Sequence, residues 1–185
     1  MEIKGSAVKA TLDFVKDKYG SRYNEWVRLL PEKSRSIIEQ PIYATTWYSL
    51  TDSVIIPTQK VADLFYAGNA TKAASEIGRY SADVALKGIY KIFVRVSSPH
   101  FVLSRVSSIF ATYYQPSDIR VIESLDKKAV LQLSKFHPND KLIMSRIAGW
   151  IEKTLEITLK SALKVDVENH IEGSVLTSKI TVIWS

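Results

Sequence analysis

The chain has 185 residues, of which 46% are hydrophobic and 24% charged, and a formal net charge of +6. These values indicate a soluble globular protein that can bury a hydrophobic core, so we expect residues 1–185 to form a single domain. Cysteine is absent, which excludes disulfides and thiol chemistry and fits a cytoplasmic protein. We also expect no secretory leader, because the N-terminus does not show a basic segment followed by an apolar one.

The first 65 residues predict a series of helices separated by helix breakers. Apolar residues at helical spacing predict a helix over residues 6–19, which Gly20 ends. Because proline interrupts a helix, Pro57 is expected to separate two further helices. The other helices predicted in this part of the chain cover residues 23–30, 31–38, 43–50 and 58–65.

A longer helix follows, with Asn69 as its N-cap candidate. Its residues Ala74, Gly78 and Val84 also match the spacing of a helix-turn-helix, and the chain is basic. A nucleic-acid-binding regulator using residues 70–88 is therefore an alternative. We favour one continuous helix with Gly78 packed closely against another element, because glycine inside a helix costs about 1 kcal/mol relative to alanine.

Residues 88–96 are β-branched and aromatic, so a strand and a helix compete there. Lys91 and Arg95 interrupt this apolar run, and we therefore expect no membrane span. Lys87, Lys91 and Arg95 are spaced four residues apart, so they would share one face whether the segment forms a helix or a strand. On that face they could contact phosphates or an acidic partner. A solvated face is the expected role. Pro99 begins the next helix, which should extend to about residue 113.

The pattern changes after Pro116, where alternating residues predict a hairpin from strands 118–124 and 129–136. A long helix over 138–163 and a second hairpin then complete the chain. In the last strand, Ile180, Val182 and Trp184 should face the core. The predicted fold class is therefore α+β, with mainly helical residues 1–115 packed with a C-terminal antiparallel sheet of two hairpins flanking a long helix.

Four stretches resemble the superfamily of haem nitric-oxide/oxygen-binding (H-NOX) sensor domains. The superfamily also includes vinyl-reductase-like regulatory domains, Golgi transport-particle subunits and uncharacterised haem-less bacterial relatives, and the chain looks most similar to this last group. The stretches are the opening Lys4-Gly5 with Phe14-Val15 and Tyr19-Gly20, then "EIGRYSADVA", "IFATYYQPSDIRV" and "RIAGWIEKTLEI".

The resemblance implies a haem site only where the haem ligands are kept. The sensors hold the iron through a histidine on the helix before a proline-serine step. Matching that step places Ser104 or Arg105 in the ligand position, and neither side chain suits iron. The tyrosine-x-serine-x-arginine that binds the haem propionates corresponds to residues 132–136, which keep only the serine. We therefore expect no haem cofactor. In the alternative, a haem gas sensor, His100 would be the non-standard ligand.

Catalysis finds little support, since the three histidines are far apart and belong to no nucleophile or metal motif. We expect a non-enzymatic ligand-sensing or protein-interaction domain whose partner is a small apolar ligand or a signalling protein. Nucleic acid is not favoured as a partner, and the formation of a homodimer is left open. The ligand should lie between the N-terminal helices and the sheet. By resemblance its walls would include Trp47, Tyr80, Phe93, Phe101 and Tyr113; whether such aromatic residues form a cavity wall or plain core stays open.

Overall fold

The computed structural model describes residues 1–87, 98–159 and 163–185. Short 3₁₀ turns at Gly20–Arg22 and Pro138–Asp140 and one π-helical segment at Thr51–Ile55 join some of its elements. In chain order the helices and strands are β1 (Glu2–Lys4), α1 (Gly5–Tyr19), α2 (Tyr23–Arg28), α3 (Glu32–Glu39), β2 (Trp47–Ser49), α4 (Ile56–Phe65), α5 (Ala70–Lys87), α6 (Pro99–Ala111), β3 (Tyr114–Gln115), β4 (Asp118–Leu125), β5 (Lys128–Phe136), α7 (Lys141–Thr158), β6 (Leu163–Glu172) and β7 (Val175–Trp184).

The predicted fold class is confirmed. Both predicted hairpins form, and they combine into a four-stranded antiparallel sheet with the strand order β4-β5-β7-β6. The long helix α7 connects the two hairpins, as its stripe of apolar residues predicted. Gly173, with a φ of 57°, provides the left-handed residue that the turn between β6 and β7 requires.

The last strand follows the predicted alternation. Ile180, Val182 and Trp184 are buried, whereas the intervening Ile183 is 41% exposed. Because β7 pairs with β5 on one side and with β6 on the other, it is an inner strand of the sheet. The sequence pattern therefore placed the correct face of β7 against the core.

The helix predicted over residues 43–50 is wrong. Residues 47–49 form the strand β2, which pairs with β1, and β1 also pairs with β3 to complete a second, three-stranded sheet. In this sheet Ile3 lies opposite both Tyr48 and Tyr114. Pairing between residues so far apart in the chain leaves no local periodicity, which is why the helical spacing was misleading.

The helix over residues 58–65 is confirmed with an earlier start. Pro57 lies in the first turn of α4, where the N–H that proline lacks has no partner within the helix. Instead of separating two helices, Pro57 lies inside a continuous helical stretch, because α4 begins at Ile56 directly after the π-helical segment. The remaining predicted helices form within a few residues of their expected bounds, and Asn69 caps α5 by accepting a hydrogen bond from the Lys72 N–H at 3.0 Å.

Helix α5 continues without a turn through Gly78, so the helix-turn-helix alternative is not formed. Gly78 packs on α7 so tightly that an added Cβ would overlap the Arg146 carbonyl oxygen. Gly149 of α7 packs in the same way on the Ser75 carbonyl of α5. Beside this contact Arg79 of α5 forms salt bridges of 2.6 Å to Glu152 and 2.8 Å to Glu156.

Residues 88–96, for which the sequence allowed either a strand or a helix, lie outside the described residues. Lys91 and Arg95 of the predicted basic face belong to this segment. Lys87 is described, and its Nζ lies 2.7 Å from the Asp83 carboxylate in the preceding turn of α5. Within the described ranges, no helix combines the length and apolar character needed to cross a membrane.

Candidate ligand cavity

A cavity of about 900 Å³ opens between the helices α1, α5, α6 and α7, and Tyr114 of β3 also lines it. No described residue of the strands β4 to β7 lines it. The cavity therefore lies among the helices, and not between the N-terminal helices and the large sheet as expected from the sequence. The helices α6 and α7, which line the cavity, also pack against the large sheet, α6 on β4 and α7 on β6.

Small side chains on α1 and α5 leave the space that forms the cavity. Ala7 and Ala10 line it from α1, and Ser81 and Ala85 line it from α5. Close-packed interiors leave few voids, so a cluster of small residues on facing helices opens a volume that larger side chains would fill. The opposite wall is aromatic at Trp150, whose ring meets the Phe110 ring edge-on with 5.2 Å between the ring centroids.

Of the five predicted wall residues, the structure brings together Tyr80, Phe101 and Tyr113, which all line the cavity. The Tyr80 ring packs edge-on against Phe14, and its hydroxyl donates a hydrogen bond to the Asp17 carboxylate. This carboxylate and, above all, burial raise the pKa of Tyr80.

The other two predicted residues do not join this group. Trp47 lies in β2, away from the cavity lining, and the Lys4 Nζ lies 4.3 Å from the centre of its ring. Phe93 lies outside the described residues. Trp47 therefore packs with the small sheet that the sequence did not predict.

The wall of the cavity also contains a buried cation, Arg146 of α7, which was not among the wall residues predicted from the sequence. Arg146 is 4% exposed. Its Nη1 donates to the Thr11 hydroxyl at 2.8 Å, and its Nη2 donates to the Ala7 carbonyl at 2.6 Å. Burial lowers the pKa of Arg146, yet a guanidinium stays charged in proteins. A signal was present, because Arg146 occupies a position between Ile143 and Trp150 on the apolar stripe of α7.

Arg146 lacks the partner that usually accompanies a buried charge. No described carboxylate lies within 4.0 Å of its guanidinium, since the salt bridges of the described residues involve other cations. Buried charges are usually paired with an opposite charge or coordinate a metal. Instead of a carboxylate, two neutral oxygen atoms of α1 accept hydrogen bonds from the charged guanidinium of Arg146.

Tyr114 is a second polar residue in the wall. It is 3% exposed, and its hydroxyl makes no side-chain hydrogen bond with another described residue. Burial raises the pKa of Tyr114 to about 12, while the nearby Arg146 charge lowers it. The phenol is therefore neutral at physiological pH and can donate a hydrogen bond.

The described side chains that line the cavity do not include an axial ligand suited to haem iron. All three histidines of the chain are described, and none lines the cavity. The His100 Nδ1 lies 2.8 Å from the Ser124 Oγ, and the His100 ring packs on Trp184. Of Ser104 and Arg105, the two residues that the resemblance matched to the iron ligand, Arg105 lines the cavity, and a guanidinium cannot bind a metal. Among the described residues there is also no group of three or more side chains suited to a metal ion.

The fold is that of H-NOX domains. An Fe(II) unliganded H-NOX mutant from K. algicida matches with a TM-score of 0.74 at 14% identity, over 99% of this chain and 97% of that chain. A mutant H-NOX from T. tengcongensis matches with a TM-score of 0.71 at 14% identity, over 99% and 98%. An oxygen-binding H-NOX domain described as related to soluble guanylate cyclases, in its oxygen complex, gives 0.70 at 14% identity, over 99% and 95%.

At this level of identity the likeness shows the fold alone. No protein-family model matches the sequence, and a search of curated proteins finds no match.

Proposed function

We propose that the protein is a non-enzymatic sensor domain that binds a small, largely apolar molecule in the helical cavity and does not use haem. The observation that carries this proposal is the cavity itself, which has the H-NOX-like fold around it and no histidine in its wall. Of the two roles expected from the sequence, ligand sensing is favoured over protein interaction because the fold encloses a concave site.

The size and lining of the cavity support a ligand. Its volume of about 900 Å³ lies within the range of roughly 300–1,000 Å³ that is usual for small-molecule sites. Such sites combine mostly apolar walls with a few polar groups that orient the ligand. Here apolar and aromatic side chains from four helices surround Tyr114 and Arg146.

A neutral fluorescent probe tests the proposal. N-phenyl-1-naphthylamine should bind with an increase in fluorescence, because its uncharged rings match the apolar walls. The variant Ala10→Phe places a large side chain in the cavity and should weaken this binding at least tenfold. The matched control Lys18→Phe adds the same side chain to an exposed part of α1 outside the lining and should leave binding unchanged. Equal binding by the two variants would contradict the proposal.

Haem titration tests the absence of haem separately. We expect the purified protein to be colourless and to show no sharp Soret band after haem is added, because no histidine lines the cavity. The control is His100→Ala, which should behave like the wild type. A sharp Soret band that His100→Ala abolishes would identify His100 as an iron ligand and overturn this part of the proposal.

A further inference from the structure

We infer that the ligand of the cavity is an amphipathic carboxylate whose head group pairs with Arg146. This inference rests on the proposed function and adds the chemical class of the ligand. The fitting class has an apolar chain or ring system and a single carboxylate group, as a free fatty acid has.

The first support is a buried cation that the fold itself does not neutralise. Arg146 is 4% exposed and has no described carboxylate within salt-bridge distance. Removing a guanidinium from water is unfavourable unless an opposite charge and hydrogen bonds compensate. An apolar side chain of similar size would fill the same position without this penalty. A ligand carboxylate would provide the missing opposite charge.

The second support is the remaining hydrogen-bonding capacity at this position. A guanidinium carries five N–H donors, and among the described residues Arg146 donates to the Thr11 hydroxyl and the Ala7 carbonyl. The neutral Tyr114 hydroxyl can donate another hydrogen bond beside it, and the two groups are close enough for the Arg146 charge to lower the pKa of Tyr114. A carboxylate accepts from both donors, and its planar shape suits the guanidinium.

The third support is the distribution of charge and apolar surface along the cavity. The charged residues in the described part of its lining are Lys9, Asp13, Arg105 and Arg146, three cations and one carboxylate, which favours an anion. Arg146 lies at the buried end, whereas Phe101 and Ile109 of the lining are 44% and 37% exposed. The carboxylate would therefore lie deep beside Arg146, and the apolar part would extend toward this exposed edge.

Two molecules of equal chain length test the inference on the unmodified protein. Dodecanoate and 1-dodecanol are each used below their aggregation concentration to displace N-phenyl-1-naphthylamine. Charge-assisted hydrogen bonds to a buried group are worth roughly tenfold to hundredfold in affinity, so dodecanoate should displace the probe at a correspondingly lower concentration. Equal displacement by both molecules would overturn the inference, while the cavity and the proposed function would stand.

A pair of variants tests the role of Arg146. Arg146→Met keeps the side-chain volume and removes the charge, so it should remove the preference for dodecanoate. The melting temperature without ligand should be unchanged or higher, because an unpaired buried charge is gone. The control Arg28→Met removes an exposed cation that lies outside the cavity lining, and it should change the preference less than threefold.

The outcomes separate the two proposals. If Arg146 only braces α7 against α1, Arg146→Met will lower the melting temperature and leave the ratio of the two affinities unchanged, which would overturn the inference. If Arg146→Met fails to fold, the comparison of dodecanoate with 1-dodecanol on the wild type still decides the question. If N-phenyl-1-naphthylamine does not bind the wild type at all, the proposed function fails before the charge of the ligand is tested.

Discussion

At the scale of single residues, two glycines determine how closely α5 and α7 approach. The Gly78 Cα faces the backbone of α7, and the Gly149 Cα faces the backbone of α5. A side chain at either position would meet backbone atoms of the other helix, which cannot move aside as a flexible side chain would. The cost of glycine inside a helix, about 1 kcal/mol relative to alanine, is thereby offset by close packing.

We expect Gly78→Val to lower the free energy of unfolding by about 1–3 kcal/mol or more, since roughly 1–3 kcal/mol is the usual cost of overpacking a core. Gly20 provides a matched control, because no atom lies within 4 Å of a Cβ added there. Gly20→Val should change the free energy of unfolding by less than about 0.5 kcal/mol. Urea unfolding followed by circular dichroism measures both values. A Gly78→Val protein as stable as the wild type would show that the helices separate easily.

At the scale of elements, β7 is the strand on which the large sheet depends. It pairs with β5 through residues 176–183 and with β6 along its whole length. Its inward side chains pack in the core, and Trp184 also contacts the His100 ring of α6, with 5.1 Å between ring centroids. Loss of the end of β7 would therefore expose the edges of two neighbouring strands and the core beneath them.

We expect Trp184→Ala to cost about 3–5 kcal/mol, because truncating a buried aromatic side chain leaves a cavity. The neighbouring Ile183 points to the other face and is 41% exposed, so Ile183→Ala should cost less than about 1 kcal/mol. Thermal unfolding measured by circular dichroism compares the two. Deletion of residues 180–185 should cause unfolding or aggregation, and a deleted protein that keeps its melting temperature would show that β7 is peripheral.

At the scale of the whole molecule, one hydrophobic core joins the helical part and the hairpin-helix-hairpin part. Polar contacts join them as well. Arg146 of α7 donates to the Ala7 carbonyl and the Thr11 hydroxyl of α1, and Arg79 of α5 forms salt bridges with Glu152 and Glu156 of α7. Neither part can keep its buried surface covered without the other.

We expect residues 1–185 to unfold in one cooperative transition, as a single domain does. Trp26 lies in the helical part, where its indole N–H donates to the Pro57 carbonyl at 3.1 Å, and Trp184 lies at the end of β7. The indole N–H resonances of both residues should disappear at the same urea concentration in an NMR titration. Two separated midpoints would show that the parts unfold independently, and the expectation of a single domain would be wrong.

The sequence by itself determined the elements whose hydrophobic pattern is local. Alternation revealed both hairpins and the buried face of β7, and helical periodicity revealed α1, α5 and α7. It also predicted that Gly78 lies inside a tightly packed helix. In each case the residues that define the pattern are close in the chain, and the burial of one face is enough to specify them.

Only the tertiary structure decided the features that depend on distant residues. The small sheet pairs residues near positions 3, 48 and 114, and its strands have only two or three residues, too short to show a period of their own. The cavity lies where four helices meet, so sequence reasoning named Tyr80 and Phe101 but not Arg146. A side chain's distance from a cavity is set by how helices pack, and Arg146 gains its exceptional environment only when α7 packs against α1.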